Sequence, residues 1–197
     1  MPSIALLSLL ISAPIVCYGQ QNILMFGAVS DTKTLAQAKR NGAAVAAAIR
    51  EANSTASEGA NRTVLIPAGQ NFWILPDTDS TGFTFVRDIA VQLDGNLSAY
   101  TTNFSQYWPV DPFTLNPADV IHFERSVNVT IFGSGTIEGN GYDWWWWVIL
   151  GFYDNRPNLI GMNACEDCAV QGVTLRNSPQ FHAFLMDMRV RTINHSI

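Results

Sequence analysis

The 197-residue chain is 48% hydrophobic and 14% charged, with a formal net charge of −5. That composition belongs to a globular protein and excludes disordered and fibrous classes. No Lys/Arg run interrupts the mildly acidic balance, so the electrostatic footprint of a nucleic-acid binder is absent.

Residues 4–11 are almost wholly apolar, Pro14 interrupts them, and Cys17 and Gly19 follow. The run is too short to span a bilayer and fits the h-region of a signal peptide, although its n-region lacks Lys and Arg. Residues 1–19 are therefore expected to be cleaved, leaving 20–197 as one domain that is secreted to the cell exterior or cell wall. No later segment is long and apolar enough for a membrane. Six sequons, at Asn53, Asn61, Asn96, Asn103, Asn128 and Asn194, point the same way as glycosylation candidates. Asn128 and Asn194 are the weakest, because a ladder-forming Asn would give the same pattern. Cleavage would also remove Cys17 and leave Cys165 and Cys168. No second Cys pair or paired His completes a zinc site around that C-x-x-C, so no metal is expected. Odd spacing puts the two cysteines on opposite faces of a strand, as small apolar residues.

After the leader, residues 22–29 form a short apolar segment ending at Ser30-Asp31. Leu35, Ala38, Gly42, Val45 and Ile49 then recur at spacings of three and four, with Lys39, Arg40 and Arg50 off that stripe. The spacing predicts an amphipathic helix over about 34–50, and its small residues Ala38 and Gly42 would let it approach a flat partner closely. Residues 53–61 are a polar loop. From Arg62 onward, short strand-like runs alternate with Gly, Pro, Asn and Asp: Val64-Leu65-Ile66, Phe72-Trp73-Ile74-Leu75, 83–86, 90–93, 120–123 and 129–132. No second helix of comparable length is predicted. A doubly wound α/β sheet is thereby excluded, leaving an antiparallel sandwich or a stacked solenoid.

Internal repetition decides between these two. Placing Val129 over Cys168 over Val190 aligns Ile131 with Val170 and Thr192, and Gly133 with Gly172 and Asn194, at offsets of 39 and 22 residues. Without an inserted segment at about 141–155, the period falls roughly in the low twenties. Short strands and Gly/Asn turns at that period mark a parallel β-helix, an all-β fold in which each coil buries its inward side chains on the next. The coils would start at about residue 62, with the helix capping their N-terminal end.

Several phrases in order then carry a family resemblance: Phe26-Gly27-Ala28-Val29, Val64-Leu65-Ile66-Pro67-Ala68-Gly69, Gly133-Ser134-Gly135-Thr136-Ile137-Glu138-Gly139-Asn140-Gly141, Trp144-Trp145, Arg156-Pro157-Asn158-Leu159-Ile160, and Gly172-Val173-Thr174-Leu175-Arg176-Asn177-Ser178-Pro179. Together they resemble the N-terminal half of glycoside hydrolase family 28, the polygalacturonases. The resemblance implies a right-handed parallel β-helix, acting as a monomer on pectic polysaccharide (polygalacturonan) without metal or organic cofactor. It implies inverting hydrolysis, in which one Asp protonates the leaving oxygen and others activate water from the opposite face. The family's Asn-Thr-Asp, Asp-Asp, Gly-His-Gly and Arg-Ile-Lys motifs do not occur here. The resemblance therefore places the catalytic residues downstream of Ile197 and implies a chain cut before its C-terminal coils, inactive alone. A non-catalytic carbohydrate-binding or adhesive β-helix, and a calcium-dependent pectate-lyase-like one, remain as alternatives.

An acidic chain does not attract a polyanion by its overall field, so uronates must be met by local Arg and Lys. His182, just after the Asn177-Ser178-Pro179 turn, is a candidate substrate-binding residue, with a polar coil corner as the simpler account. Trp144 to Trp147 cannot all share one face. Packing within the inserted segment is favoured for them, and Trp145 is retained as a candidate sugar platform. Asp77 and Asp79 fit a polar loop better than catalysis. Asp167 overlays Asn128 at a turn-flanking position, and His122 and His195 show no partner pattern.

Overall fold

The structure is a computed structural model describing residues 20–54, 62–77, 82–110, 115–152 and 155–190. The expected leader lies outside the described residues, as do Asn61, Asp79, Asn194 and His195. The chain enters through β1 (Gln21–Asn22) and a 3-10 turn, Ile23–Phe26, closed by Gly27 in the left-handed region at φ 89°. Helix α1 (Leu35–Ser54) follows and runs past the expected end at 50. Its first turn is capped by Thr34, whose hydroxyl accepts a hydrogen bond from the Gln37 N–H at 3.2 Å.

The apolar stripe is buried as its spacing predicts, and Gly42 is its point of closest approach. A Cβ there would collide with the Leu75 carbonyl, while the Leu75 N–H donates to the Ala38 carbonyl at 3.0 Å. Asn41, which lies outside the stripe, is fully buried beside it. Its Oδ1 accepts from the Val29 N–H and from Gln37 Nε2, both at 2.8 Å, and its Nδ2 donates to the Val29 and Trp73 carbonyls. All its hydrogen-bonding capacity is thus used to splint the entry loop, the helix and the first coil together.

From residue 62 each coil gives one strand to each of three sheets. The first contributes β2 (Thr63–Ile66), β3 (Asn71–Ile74) and β4 (Phe83–Thr84). The second contributes β5 (Arg87–Leu93), β6 (Asn96–Ala99) and β7 (Ile121–Glu124), with a short helix α2 (Phe104–Tyr107) in the excursion between the last two. The third adds β8 (Val127–Phe132), β9 (Thr136–Glu138), helix α3 (Tyr142–Ile149) and β10 (Ile160–Asn163). The fourth adds β11 (Ala169–Gln171), β12 (Thr174–Arg176) and β13 (Ala183–Met186). The sheets run β1-β2-β5-β8-β11, β3-β6-β9-β12 and β4-β7-β10-β13, and the pairings within them are parallel. This is the parallel β-helix that the repeats predict.

Register places like residues in columns. Val64, Val91, Ile131 and Val170 stack in the first sheet, Phe72, Leu97, Ile137 and Leu175 in the second, and Phe83, Phe123, Met162 and Leu185 in the third. The Phe83 and Phe123 rings lie 5.5 Å apart. Among the described residues no helix is long and apolar enough to cross a membrane.

Two corner columns bend each coil from the third sheet into the next coil's first. Phe85, Arg125, Ala164 and Asp187 form one, and Asp88, Asn128 and Asp167 the other, all with φ between 49° and 56°. Left-handed non-glycine residues cost of order 1–3 kcal/mol each, so the stacking must overdetermine them. Asn128 does ladder: its Nδ2 donates to Asp88 Oδ1 at 2.8 Å. The second corner also corrects the expectation for the cysteines. With Asp167 left-handed between them, Cys165 and Cys168 both turn toward the interior instead of taking opposite faces, in register with Ser126 and Val129 below. Burial is the main cause that pushes the Cys168 thiol up to about 11. The Val129 backbone partly counters it, and Cys165 and Asp167 add to it.

The predicted Val129–Cys168 overlay holds, because Ala169 pairs with Thr130 and Glu166 with Val127. Val190 does not join it. Glu166 pairs with Arg189, which makes the last step 23 residues, not 22, and leaves Val190 beside Asp167 and 85% exposed.

Truncating a column centre should be costly. Phe123→Ala is expected to destabilise the fold by about 3–5 kcal/mol, against about 0.5 or less for exposed Arg40→Ala, as measured by denaturant unfolding. With the thiol near 11 in place of 9.0, Cys168 in the native chain should alkylate roughly a hundredfold more slowly at neutral pH than in urea, followed by peptide mass mapping.

Candidate functional site

The outer face of the β4-β7-β10-β13 sheet carries an open groove of about 620 Å³. Alternation along β7 turns Ile121 and Phe123 inward and therefore His122 and Glu124 outward onto the groove floor. In the neighbouring strands Gly161 lies beside His122, and Asn163 beside Glu124. A Cβ at residue 161 would collide with Asp119 Oδ2 and His122 Nδ1, so the glycine is the recess in which that pair sits.

The floor is a continuous polar chain. Asp119 Oδ1 accepts from the Asn158 N–H at 2.8 Å, and Asp119 Oδ2 meets His122 Nδ1 at 2.8 Å. His122 Nε2 lies 3.7 Å from Glu124 Oε2, which accepts from Asn163 Nδ2 at 2.8 Å. Arg125 Nε stands 3.5 Å from Glu124 Oε1. Burial draws the His122 pKa down, but the hydrogen bonds and charges of Asp119 and Glu124 outweigh it, so the net shift is upward from 6.5. In mildly acidic solution the ring is thus held as a cation with a carboxylate on either side.

Arg156 brings a further cation to the rim, with Nη1 donating to the Pro179 carbonyl at 3.0 Å. Two atoms on this lining, Arg156 Nε and Asn163 Oδ1, are buried without a hydrogen-bond partner. Each such atom costs about 1–3 kcal/mol unless water or a ligand reaches it. Phe181 and Phe184 give the groove an apolar side, their rings stacked at 6.2 Å. The ensemble suits a sugar acid: aromatic area for a pyranose face, and cations for a carboxylate.

Of the residues singled out from the sequence, only His122 lines this groove. His182 is exposed just beyond Phe181, and its neighbours, not its own side chain, line the groove. Trp145 is half-buried on α3, where its Nε1 donates to the Ser178 and Pro179 carbonyls at 3.1 and 3.2 Å. It pins the same Pro179 carbonyl that holds Arg156, and so acts beneath the rim. Trp144 is buried against Phe104 and Trp108, while Trp146 and Trp147 face outward. Asp77 makes an exposed ion pair with Arg50 at 3.8 Å. The expectation that His122 lacks partners is corrected. Its partners are Asp119, three residues earlier and outside the strand, and Glu124, whose place on the same strand face is visible in the alternation of 121–124.

Comparison with known proteins places the chain in a family. The sequence model of glycosyl hydrolases family 28 matches residues 56–195. The chain belongs to that family. It is 25% identical over 155 residues to an exopolygalacturonase of Cochliobolus carbonum, covering 78% of this chain and 32% of that protein. It is 34% identical over 139 residues to an exopolygalacturonase of Zea mays, covering 68% of this chain and 31% of that one. Exopolygalacturonase B of Aspergillus niger is 31% identical over 132 residues, 62% of this chain and 28% of its own. The chain thus spans about a third of the length of these relatives. In fold it is similar to the crystal structure of a candidate glycosyl hydrolase from Parabacteroides merdae, with a TM-score of 0.55 and 19% identity, covering 85% of this chain and 70% of that one.

The His122 cluster should give the fold a specific pH dependence. Because the folded pKa is raised, its stabilisation is full below the unfolded value of about 6.5 and is lost as pH rises through the folded value. Urea unfolding at about pH 5.5 and pH 8 should show a stability loss that shrinks in His122→Asn; equal losses in both proteins would contradict the cluster.

Proposed function

We propose that the whole protein is a secreted polygalacturonase-type glycosidase that removes residues from pectic galacturonan by inverting hydrolysis, and that this chain supplies one end of its substrate groove. The observation that carries the reading is the groove itself: Arg125, Arg156 and protonatable His122 set among aromatic rings, on a β-helix of family 28. A uronate carboxylate approaching Arg156 would meet a guanidinium already oriented by the Pro179 carbonyl, which lowers the entropy lost on binding. Removal from chain ends is favoured because the relatives named above are exopolygalacturonases.

In this reading Asp119 and Glu124 are positioning groups, not the acid and base. Asp119 is engaged by His122 and the Asn158 N–H, and Glu124 by Asn163 and Arg125. Inverting hydrolysis needs one carboxyl to protonate the leaving oxygen and another to activate water across the sugar ring. The Asn-Thr-Asp and Asp-Asp motifs that the family resemblance calls for are not in this sequence. The chain by itself therefore binds galacturonan without cleaving it.

Affinity electrophoresis through polygalacturonate at mildly acidic pH should retard the chain, and Arg156→Ala should weaken that binding roughly tenfold, the value of one charge-assisted contact. Equal retardation by a neutral galactan would remove the uronate reading. A reducing-end assay on polygalacturonate should stay at background, and release of sugar by this chain would overturn the division of roles proposed here.

A further inference from the structure

On the side of the molecule where α2 and α3 meet, a second concavity of about 430 Å³ combines an aromatic wall with a polar rim. Trp146 and Trp147 form the wall, 63% and 36% exposed, and Thr102, Ser105 and Asp143 stand on the rim. Asn103 lines the same concavity, and Asn103-Phe104-Ser105 is one of the six sequons. Asn103 is exposed in the left-handed region, at φ 52° and ψ 41°. Its main-chain carbonyl accepts from the Gln106 and Tyr107 N–H groups, while its side chain makes no capping hydrogen bond. The next residue, Phe104, is buried with its ring 3.9 Å from that of Trp144, so the turn carrying Asn103 is locked against the helix carrying the tryptophans.

We propose that Asn103 is glycosylated and that the first N-acetylglucosamine of its glycan folds back onto Trp146 and Trp147 as a built-in occupant of this concavity. The transfer is balanced by an ordinary donor of the secretory route, a lipid-diphosphate-linked oligosaccharide. Asn103 Nδ2 gives up a proton and bonds C1 of the sugar, and the lipid diphosphate leaves with the electron pair of the broken C1–O bond.

Three features single out this sugar. A pyranose presents a C–H face that suits an indole, and its acetamido and hydroxyl groups suit the hydroxyls of exposed Thr102 and Ser105. Asp143 disfavours a uronate here, which separates the concavity from the galacturonan groove. The covalent tether makes docking intramolecular, so a weak contact suffices to keep the sugar seated. None of the other described sequon residues, Asn53, Asn96 and Asn128, lines this concavity, and Asn128 Nδ2 is committed to Asp88. A seated glycan would also cover apolar surface that Ile149, Leu150 and Phe152 extend.

The proposal depends on export, not on the galacturonan reading, and its test uses no pectin. The full chain is secreted from a yeast host, and site occupancy at Asn103 is read by peptide mass spectrometry. Oxidation of each tryptophan by N-bromosuccinimide is then followed in three samples: the glycoprotein, the same protein trimmed to one N-acetylglucosamine, and Asn103→Asp. The Asp variant keeps side-chain size and tolerance of the left-handed region, so folding is preserved. Trp146 and Trp147 should be protected in the first two samples and lose protection in Asn103→Asp, while Trp145, tethered to Ser178 and Pro179, should react equally in all three. An empty Asn103, or an occupied one with unchanged oxidation of Trp146 and Trp147, overturns the proposal. So does protection that depends on protein concentration in Asn103→Asp, which would assign the patch to a second copy.

Discussion

The structure rests on one constraint, that every coil must present its inward side chains to the coil beneath in unbroken parallel register. A single coil of short strands has nothing to bury against, and apolar area comes out of water only when Phe83 meets Phe123 and Phe123 meets Met162. The left-handed corners are the mechanical counterpart of those columns. Phe85, Arg125, Ala164 and Asp187 each hold a backbone conformation that an isolated chain would avoid, and they hold it because the strands on both sides are already fixed. At the N-terminal end, α1 substitutes for a coil. Gly42 and Asn41 let it lie directly on the edge of β3 with its buried polar group satisfied.

The groove is a by-product of the same constraint. Because inward positions are committed to the core, the alternate positions of the third sheet are free to carry chemistry, and His122, Glu124 and Asn163 occupy them. The sheet supplies spacing, and the excursions supply Asp119 to the floor and Arg156 and Phe181 to the rim. The ion cluster at His122 would be costly if any member were missing, since a half-buried carboxylate or imidazolium without its partner carries an uncompensated charge. Its assembly depends on the absent side chain at Gly161 as much as on the charged groups themselves.

Much of this was legible in the sequence, for definite reasons. The spacing of three and four between Leu35 and Ile49 specifies the helix, and the overlay of Val129, Ile131 and Gly133 on Cys168, Val170 and Gly172 specifies the coil stack. Cys168 fell under that pattern correctly. Val190 did not, because the last step carries one more residue than the overlay allowed. The inward turn of both cysteines follows from a left-handed Asp167 that interrupts strand alternation, and the signal for it is the Asp/Asn type shared by positions 88, 128 and 167. His122 was overlooked although its alternation with Glu124 was readable, since Asp119 reaches it across a bend that no strand pattern encodes. Trp145 was recognised as special, but its role as a hydrogen-bond donor to a distant turn depends on tertiary packing alone.

Trp145 and Arg156 converge on one carbonyl, that of Pro179, from two different excursions of the chain. Pro179 lies in the bend between β12 and β13, outside the ladders, so its carbonyl is left as an anchoring post at the mouth of the fourth coil. The arrangement resembles a guy-rope: the helix of the third coil is moored to the fourth, and the cation at the groove's edge is moored to the same point. Any displacement of α3 would be transmitted to that cation. Insertions in that excursion are consequently a means of retuning what the groove accepts while the stacked interior stays as it is.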